Sequence, residues 1–297
     1  MIVGTKPRLR QIELEVWKPI VILFLWDVIV TVCHYAFELK EPPLPMPLFG
    51  AALTLFLGFR TNAAYARWWE ARGLWGSLIN SSRSLARITV TLTRSKDEAA
   101  LALRDSVIRH QITFAHVLRC QLRGQDPQED VLRILGEKEI PHVMERTNRP
   151  NALLEDVSTA YGQALDDGII TEIQQTMVES TLTDIANAQG GMERIKNTPL
   201  PSGFRAFPSL ATAIFCLFLP MELVQDIGWL TPVVSTLIGM IFVSALRIAE
   251  DLSDPFANDV HDVPLLAMCR TIEIDLLQTI DGKDVPGPLK AIDGVLW

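Results

Sequence analysis

Histidines and cysteines are the residues of this 297-residue chain most suited to catalysis or metal binding, and their spacing supports neither. His110 and His116 are six positions apart, a poor spacing for one face of a helix. No HExxH, GxSxG or phosphate-cradling motif occurs in the sequence. The four cysteines lie far apart without a CxxC pair, which predicts neither a disulfide nor a zinc site. The sequence therefore favours a protein that is not an enzyme and that requires no cofactor.

A second chemical candidate is the acidic stretch EDLSDPFANDVHDVPL. Its carboxylates are oxygen ligands of the kind that calcium prefers, and four of them are aspartates: Asp251, Asp254, Asp259 and Asp262. The stretch fails the EF-hand pattern, because Phe256 stands where a glycine makes the turn and Asp262 stands where a bidentate glutamate is expected. Calcium is a possible ligand here, but we do not expect it to control the protein.

The third candidate lies in the apolar run over residues 47–66, which closes with LGFRTNAAYARWWE. Ala51, Leu55, Phe59 and Asn62 recur at intervals of three or four, so a helix places them on one face. That face is apolar at its first end and polar at Asn62. It suits either a helix packed inside a bundle or the wall of a pore with a hydrophobic neck. Composition alone does not choose between these two interpretations.

The elements that position these residues are predicted to cross a membrane. The chain is 48% hydrophobic with a positive mean hydropathy, and its apolar residues concentrate in runs of about 20 residues, the length that spans a bilayer as a helix. We predict four transmembrane helices, over residues 19–37, 47–66, 207–223 and 228–246. A formal net charge of −8 excludes a general nucleic-acid-binding role, which needs a basic face.

Basic residues set the predicted orientation in the cell's inner (plasma) membrane. Of the 27 lysines and arginines, only Lys40 falls in a predicted outer loop, and cytoplasmic flanks carry the excess of basic residues. Both termini are therefore expected to be cytoplasmic. The predicted segments are 1–71 with the first two spans, a cytoplasmic helical region over 72–204, a transmembrane hairpin over 205–247, and a cytoplasmic tail over 248–297.

The region between the span pairs is predicted to be helical. Apolar residues recur with helical periodicity over residues 98–122 and again over 166–188, and neither stretch shows the alternation of a strand. We therefore predict an all-α membrane protein. Within the first span, Asp27 needs a partner inside the protein, and Arg60 or His34 are the candidates.

The sequence resembles the prokaryotic branch of the bestrophin family. The resemblance rests on FLGFRTNAAYARWWEAR, on TPLPSGF far downstream, and on the acidic stretch after the fourth span, where the family's PFG is Pro255-Phe256-Ala257 here. It implies a homopentameric ion channel with one central pore, with a neck lined by Ala51, Leu55 and Phe59. It also implies a second, cytoplasmic constriction, for which Ile169 is the candidate and Ile173 the alternative.

The sign of the permeant ion is left open by the sequence. The resemblance implies chloride. The predicted outer loops carry four carboxylates (Glu38, Glu41, Glu222 and Asp226) against one lysine, and five copies around one mouth would concentrate cations. This charge argument leans slightly to a monovalent cation such as sodium. A secondary transporter is the other alternative, but the two span pairs show no evident inverted repeat.

Overall fold

The computed structural model describes residues 9–38, 44–94, 97–280, 282, 284–292 and 294–297, with side chains of the first helix described from Trp17. In this part of the chain the protein is all-helical apart from one isolated bridge between Ile292 and Val295. The helices are α1 (Leu9–Phe37), α2 (Met46–Leu92), α3 (Glu98–Arg123), α4 (Gln128–Ile134), α5 (Ile140–Met144), α6 (Arg149–Asp166), α7 (Glu172–Asn197), α8 (Ser202–Ile227), α9 (Thr231–Asp251) and α10 (Leu265–Thr279).

These helices form two compact units, which are described separately. The apolar unit contains α1, α2 as far as Trp68, α8 and α9. The polar unit contains α2 from Trp69 onward, α3 to α7, and α10. In the apolar unit, α1 packs against α8 and α9, and a buried cluster joins α2 to α8 through Met46, Leu53 and Phe215.

Two stretches of the described residues are long and apolar enough to cross a membrane. One is Trp17–Phe37 in α1, and the other is Ser202–Asp251, whose 50 residues contain both α8 and α9. The first half of α2 is not among them, because Arg60 and Asn62 lower its mean hydropathy. All four segments predicted as spans are nevertheless helical.

The polar unit is built around a core of large buried side chains, including Trp75, Phe114 and Tyr161. The helix predicted over residues 98–122 is confirmed as α3. The helix predicted over residues 166–188 is confirmed from Glu172 onward as α7 and is wrong at its start, since α6 ends at Asp166 and a turn precedes α7. Gly168, with a φ of +71°, makes the turn. Thr171 then caps α7 in a capping box with Gln174.

Candidate functional site

The first half of α2, which belongs to the apolar unit, has one exposed face and one buried face. Leu55 and Phe59 are each 57% exposed, and Ala51 and Asn62 are exposed beside them. The four predicted site residues of α2 therefore lie together on a face that the rest of the subunit does not cover. The opposite face is buried and contains Leu53, Leu57, Arg60 and Ala64.

Polar contacts hold α2 on α8 at both ends of this half. Near the start of α2, the backbone N–H of Leu44 donates to a carboxylate oxygen of Glu222 at 2.9 Å. Further along, Arg60 donates to the backbone oxygen of Arg205 and to the hydroxyl of Ser209, each at 3.2 Å. Arg60 is therefore a buried anchor between α2 and α8. Its position in an apolar run has a structural cause.

Asp27 was expected to pair with Arg60 or His34, but its carboxylate is bound by a residue of α9 instead. The side chain of Asp27 is buried, and one of its carboxylate oxygens accepts a hydrogen bond from the hydroxyl of Thr236 on α9 at 2.9 Å. The sequence could not indicate this partner, because Thr236 lies 209 positions away. Asp27 thus joins α1 to α9.

The two candidates for the second constriction occupy different environments in the polar unit. Ile169 lies in the turn between α6 and α7 and is half-buried. Ile173 lies in the first turn of α7 and is 77% exposed. Both precede a buried stripe of α7 that includes Val178 and Leu182. The two isoleucines are therefore close in sequence but differ in how far each projects from the unit.

Aspartates of the acidic stretch have partners within the protein. Asp251 forms an ion pair with Arg247 at 3.3 Å. Asp262 is buried and accepts a hydrogen bond from the backbone N–H of Asp259 at 2.8 Å, which closes a turn. Among the described residues, no three His, Cys, Asp or Glu side chains are grouped so that they could hold a metal ion. Two of the four aspartates predicted as possible calcium ligands, Asp251 and Asp262, therefore already have partners within the protein.

Sequence patterns missed a buried ionic network in the polar unit. Atom Nε2 of His116 on α3 lies 3.2 Å from a carboxylate oxygen of Glu273 on α10, and its Nδ1 lies 3.5 Å from Asp130 on α4. Arg133 also donates to Glu273, and Arg119 pairs with Asp130 at 2.7 Å. Burial alone would raise the pKa of Glu273, but the hydrogen bonds from His116 and Arg133 outweigh it and lower the pKa to about 2.

The network is a structural tie between three helices. Its members come from α3, α4 and α10, and Glu273 follows His116 by 157 positions. No local spacing could therefore have revealed it. The only sequence signal was a charged or polar residue, such as Glu273, among the apolar residues of a helix.

In the part of the chain that the structure describes, the fold is all-helical, and two stretches are long and apolar enough to cross a membrane. The model of the family described as "Bacterial/Fungal Bestrophin protein" matches residues 9–278. The chain therefore belongs to the bestrophin family, as the motifs predicted, and the family and its curated relatives indicate an ion channel.

Curated relatives and a solved structure agree with this assignment. The "Voltage-dependent anion channel-forming protein YneE" of Salmonella typhi is 38% identical over 244 residues, which cover 82% of this chain and 78% of the relative. The protein of the same name from Escherichia coli is 37% identical over 246 residues, 82% of this chain and 79% of the relative. A crystal structure of a bacterial bestrophin homologue from Klebsiella pneumoniae superposes with a TM-score of 0.84 at 30% identity and covers 89% of this chain and 98% of that one.

Proposed function

We propose that five copies of this chain assemble around one central pore, and that the membrane half of α2 from each copy lines it. The observation that carries this proposal is the exposed apolar face of α2, which is tied to α8 on its other side by Arg60. A helix anchored in this way holds its free face in a fixed direction. In a ring of identical subunits, we expect this free face of α2 to point toward the central axis of the ring.

The neck of this pore gates by excluding water. Ala51, Leu55 and Phe59 follow one another at intervals of four residues, about 6 Å along the helix. Five copies of each make three stacked apolar rings, and hydrophobic constrictions of this kind block ions when they dewet. Asn62 lies one turn further and offers amide groups to the ion as it leaves the neck.

The membrane topology that fits this pore has four spans, formed by α1, the first half of α2, α8 and α9. In this topology, two connections lie on the outer side of the membrane: the one between α8 and α9 and the one between α1 and α2. Both termini and the polar unit lie in the cytoplasm. The distribution of basic residues supports this orientation. Lys40 and Glu41, which entered the charge argument, lie outside the described residues.

We infer that the permeant ion is a monovalent anion such as chloride, because the curated relatives are named as anion channel-forming proteins. A monovalent cation is the second candidate, and the slight lean of the sequence toward it gains no support from those names. What favours it is the group of exposed carboxylates beside the second constriction, namely Asp166, Asp167 and Glu172. Among the outer carboxylates, Glu222 is already engaged by the backbone of Leu44.

The second constriction is assigned to Ile169, with Ile173 as the alternative. Calcium is not required in this account, because Asp251 and Asp262 are already engaged by Arg247 and by the backbone of Asp259. The channel is therefore expected to conduct without a bound cofactor. Its expected partners are its own copies and the lipid bilayer.

Reconstitution of the purified protein in a planar bilayer tests this function. A passive channel carries current down an ion gradient with no second solute, whereas a secondary transporter needs strict coupling. With unequal potassium chloride concentrations on the two sides, the sign of the reversal potential identifies the permeant ion. A reversal potential at the chloride equilibrium value supports the anion channel, and one at the potassium value supports the cation channel.

A further inference from the structure

Asp27 is a buried carboxylate in the middle of α1. It is the central residue of the apolar stretch Trp17–Phe37, about 15 Å from either end, and its surface is only 1% exposed. One carboxylate oxygen, Oδ2, accepts the hydrogen bond from Thr236, whereas the other, Oδ1, is buried without a hydrogen-bond partner among the described residues. A buried oxygen of this kind is costly, because burial removes its hydration and no hydrogen bond replaces that hydration.

The helices α1 and α9 run antiparallel in a fixed register. Three contacts show this, because each later residue of α1 meets an earlier residue of α9. These contacts are Leu23 with a Cβ atom placed on Gly239 at 3.0 Å, Asp27 with Thr236 at 2.9 Å, and Tyr35 stacked on Trp229 with ring centroids 4.7 Å apart. Thr31, one turn beyond Asp27, therefore lies level with the first turn of α9, which contains Thr231.

Hydroxyl groups surround the Asp27 carboxylate. The hydroxyl of Ser235 on α9 lies beside it. Thr231, Ser235 and Gly239 recur every four positions, so they share the stripe of α9 that packs on α1. Thr31 shares the facing stripe of α1 with Asp27 for the same reason. We call the buried members of this group, each at most 3% exposed, the oxygen cluster: Asp27, Thr31, Thr231 and Ser235.

Two of the threonines in the oxygen cluster can act as oxygen ligands. Thr31 donates its hydroxyl proton to the backbone oxygen of Asp27 at 2.8 Å, which leaves the lone pairs of its own oxygen available. Thr231 is fully buried, and its Oγ1 has no hydrogen-bond partner in the described part of the chain. The cluster thus contains two buried and unpartnered oxygens, Oδ1 of Asp27 and Oγ1 of Thr231. Because buried polar atoms are normally paired, both oxygens point to a bound group.

The charge of Asp27 selects the kind of bound group. The described contacts of its carboxylate are hydroxyl groups of α9, which bring no positive charge to it. An ionised carboxylate in an apolar interior needs a counter-charge. One monovalent cation would neutralise the cluster, whereas a divalent cation would leave a net positive charge buried among apolar side chains. Carboxylate and hydroxyl oxygens are hard ligands, and hard ligands suit a hard cation such as sodium.

We propose that the oxygen cluster between α1 and α9 binds one small monovalent cation, for which sodium is the probe. Oδ1 of Asp27 and Oγ1 of Thr231 are its ligands, and the hydroxyl oxygens of Thr31 and Ser235 lie beside them. All four side chains belong to one subunit, so the site does not depend on how many subunits assemble or on which helix lines the pore. The bound cation joins α1 to α9 and stabilises the apolar unit.

Thermal melts of the purified protein in detergent test the site. The pH and the ionic strength are held constant while sodium chloride replaces choline chloride, whose cation is too large to enter between packed helices. A ligand that binds only the folded state raises the melting temperature with its concentration above the dissociation constant. We expect this rise in the wild type and no rise in Asp27→Asn. The control Asp226→Asn, which neutralises an exposed carboxylate of α8, should respond to sodium like the wild type.

Thr231→Val tests the second ligand without changing the charge of the cluster. Valine is close to threonine in size and lacks the hydroxyl, so the variant should need about tenfold more sodium for the same rise in melting temperature. Binding of radioactive sodium at equilibrium gives a direct readout. We expect one ion per chain in the wild type and none in Asp27→Asn, with the helical content of the two proteins equal by circular dichroism.

Two outcomes would overturn the cation site. One is a melting temperature that is the same in sodium and in choline, or that rises equally in the wild type and in Asp27→Asn. The other is a difference in stability between these two proteins that depends on pH but not on sodium. That result would identify a proton on Asp27 as the counter-charge instead of a metal cation.

Discussion

Leu55 and Leu57 lie two positions apart on α2, yet 57% of Leu55 is exposed and only 6% of Leu57. One leucine points away from the subunit and the other packs inside it. The same substitution should therefore change conductance at Leu55 and stability at Leu57.

Leu55→Ala should increase the single-channel conductance with little effect on the melting temperature, because it widens the neck and removes no internal contact. Leu57→Ala should lower the free energy of unfolding by about 2 kcal/mol or more, as for other buried leucines, and should leave the unitary conductance unchanged. Planar-bilayer recording and thermal melts in detergent check the pair. Unaltered conductance in Leu55→Ala would remove Leu55 from the neck.

Replacing Arg60 should loosen α2 from α8. Arg60→Ala removes two hydrogen bonds and leaves the backbone oxygen of Arg205 and the hydroxyl of Ser209 without this donor. We expect a larger drop in melting temperature than for Ser209→Ala, which removes one of the two contacts, at a cost of about 1 kcal/mol. Equal drops for the two variants would show that the guanidinium does not anchor the helix.

Glu273→Gln should destabilise the polar unit by about 3 kcal/mol at neutral pH, because Glu273 is a buried carboxylate paired with His116 and Arg133. The folded pKa of about 2 lies below the unfolded value of about 4.5, so the carboxylate stabilises the fold above pH 4.5 and loses that effect as the pH falls toward 2. The difference in stability between wild type and variant should therefore shrink on acidification. Thermal melts from pH 7 to pH 3 measure it, and a difference that grows in acid would contradict the assignment.

Calcium should have no effect on the current. Reconstituted channels should pass the same current in a calcium chelator and in millimolar calcium, because Asp251 and Asp262 are already engaged within the protein. Asp262→Asn should likewise leave any calcium response unchanged. Currents that appear only with calcium, and that Asp262→Asn abolishes, would restore the acidic stretch as a metal site.

The second constriction can be assigned by single substitutions. If Ile169 forms the constriction, Ile169→Ala should increase the single-channel conductance at both positive and negative membrane potentials. Ile173→Ala should then conduct like the wild type. The reverse result would move the constriction to Ile173, whose side chain is more exposed. Unchanged currents in both variants would mean that neither residue constricts the pore.

Periodicity predicted the long helices because each buries one stripe along its length. It placed Ala51, Leu55, Phe59 and Asn62 on one face, and the structure leaves that face uncovered. It failed at Ile169, because the isoleucines continue the helical spacing through a turn that Gly168 and the Thr171 cap impose.

Long-range polar contacts were beyond the reach of pattern analysis. Thr236 as the partner of Asp27, and Glu273 as the partner of His116, depend on how helices pack in space rather than on intervals along the chain. Arg60 illustrates the same limit. Its residue type indicated a buried charge, but its acceptors on α8 became apparent only in the folded unit.

Chemical modification of a cysteine at Leu55 tests the pore most directly. In a Cys33→Ala background, Leu55→Cys channels are recorded in a bilayer while a charged methanethiosulfonate reagent is added, with Leu25→Cys on α1 as the control. If α2 lines the conduction path, the reagent should block the current in Leu55→Cys and leave the control unchanged. Equal and undiminished currents in both variants, with modification of Leu55→Cys verified by mass spectrometry, would contradict a pore lined by α2.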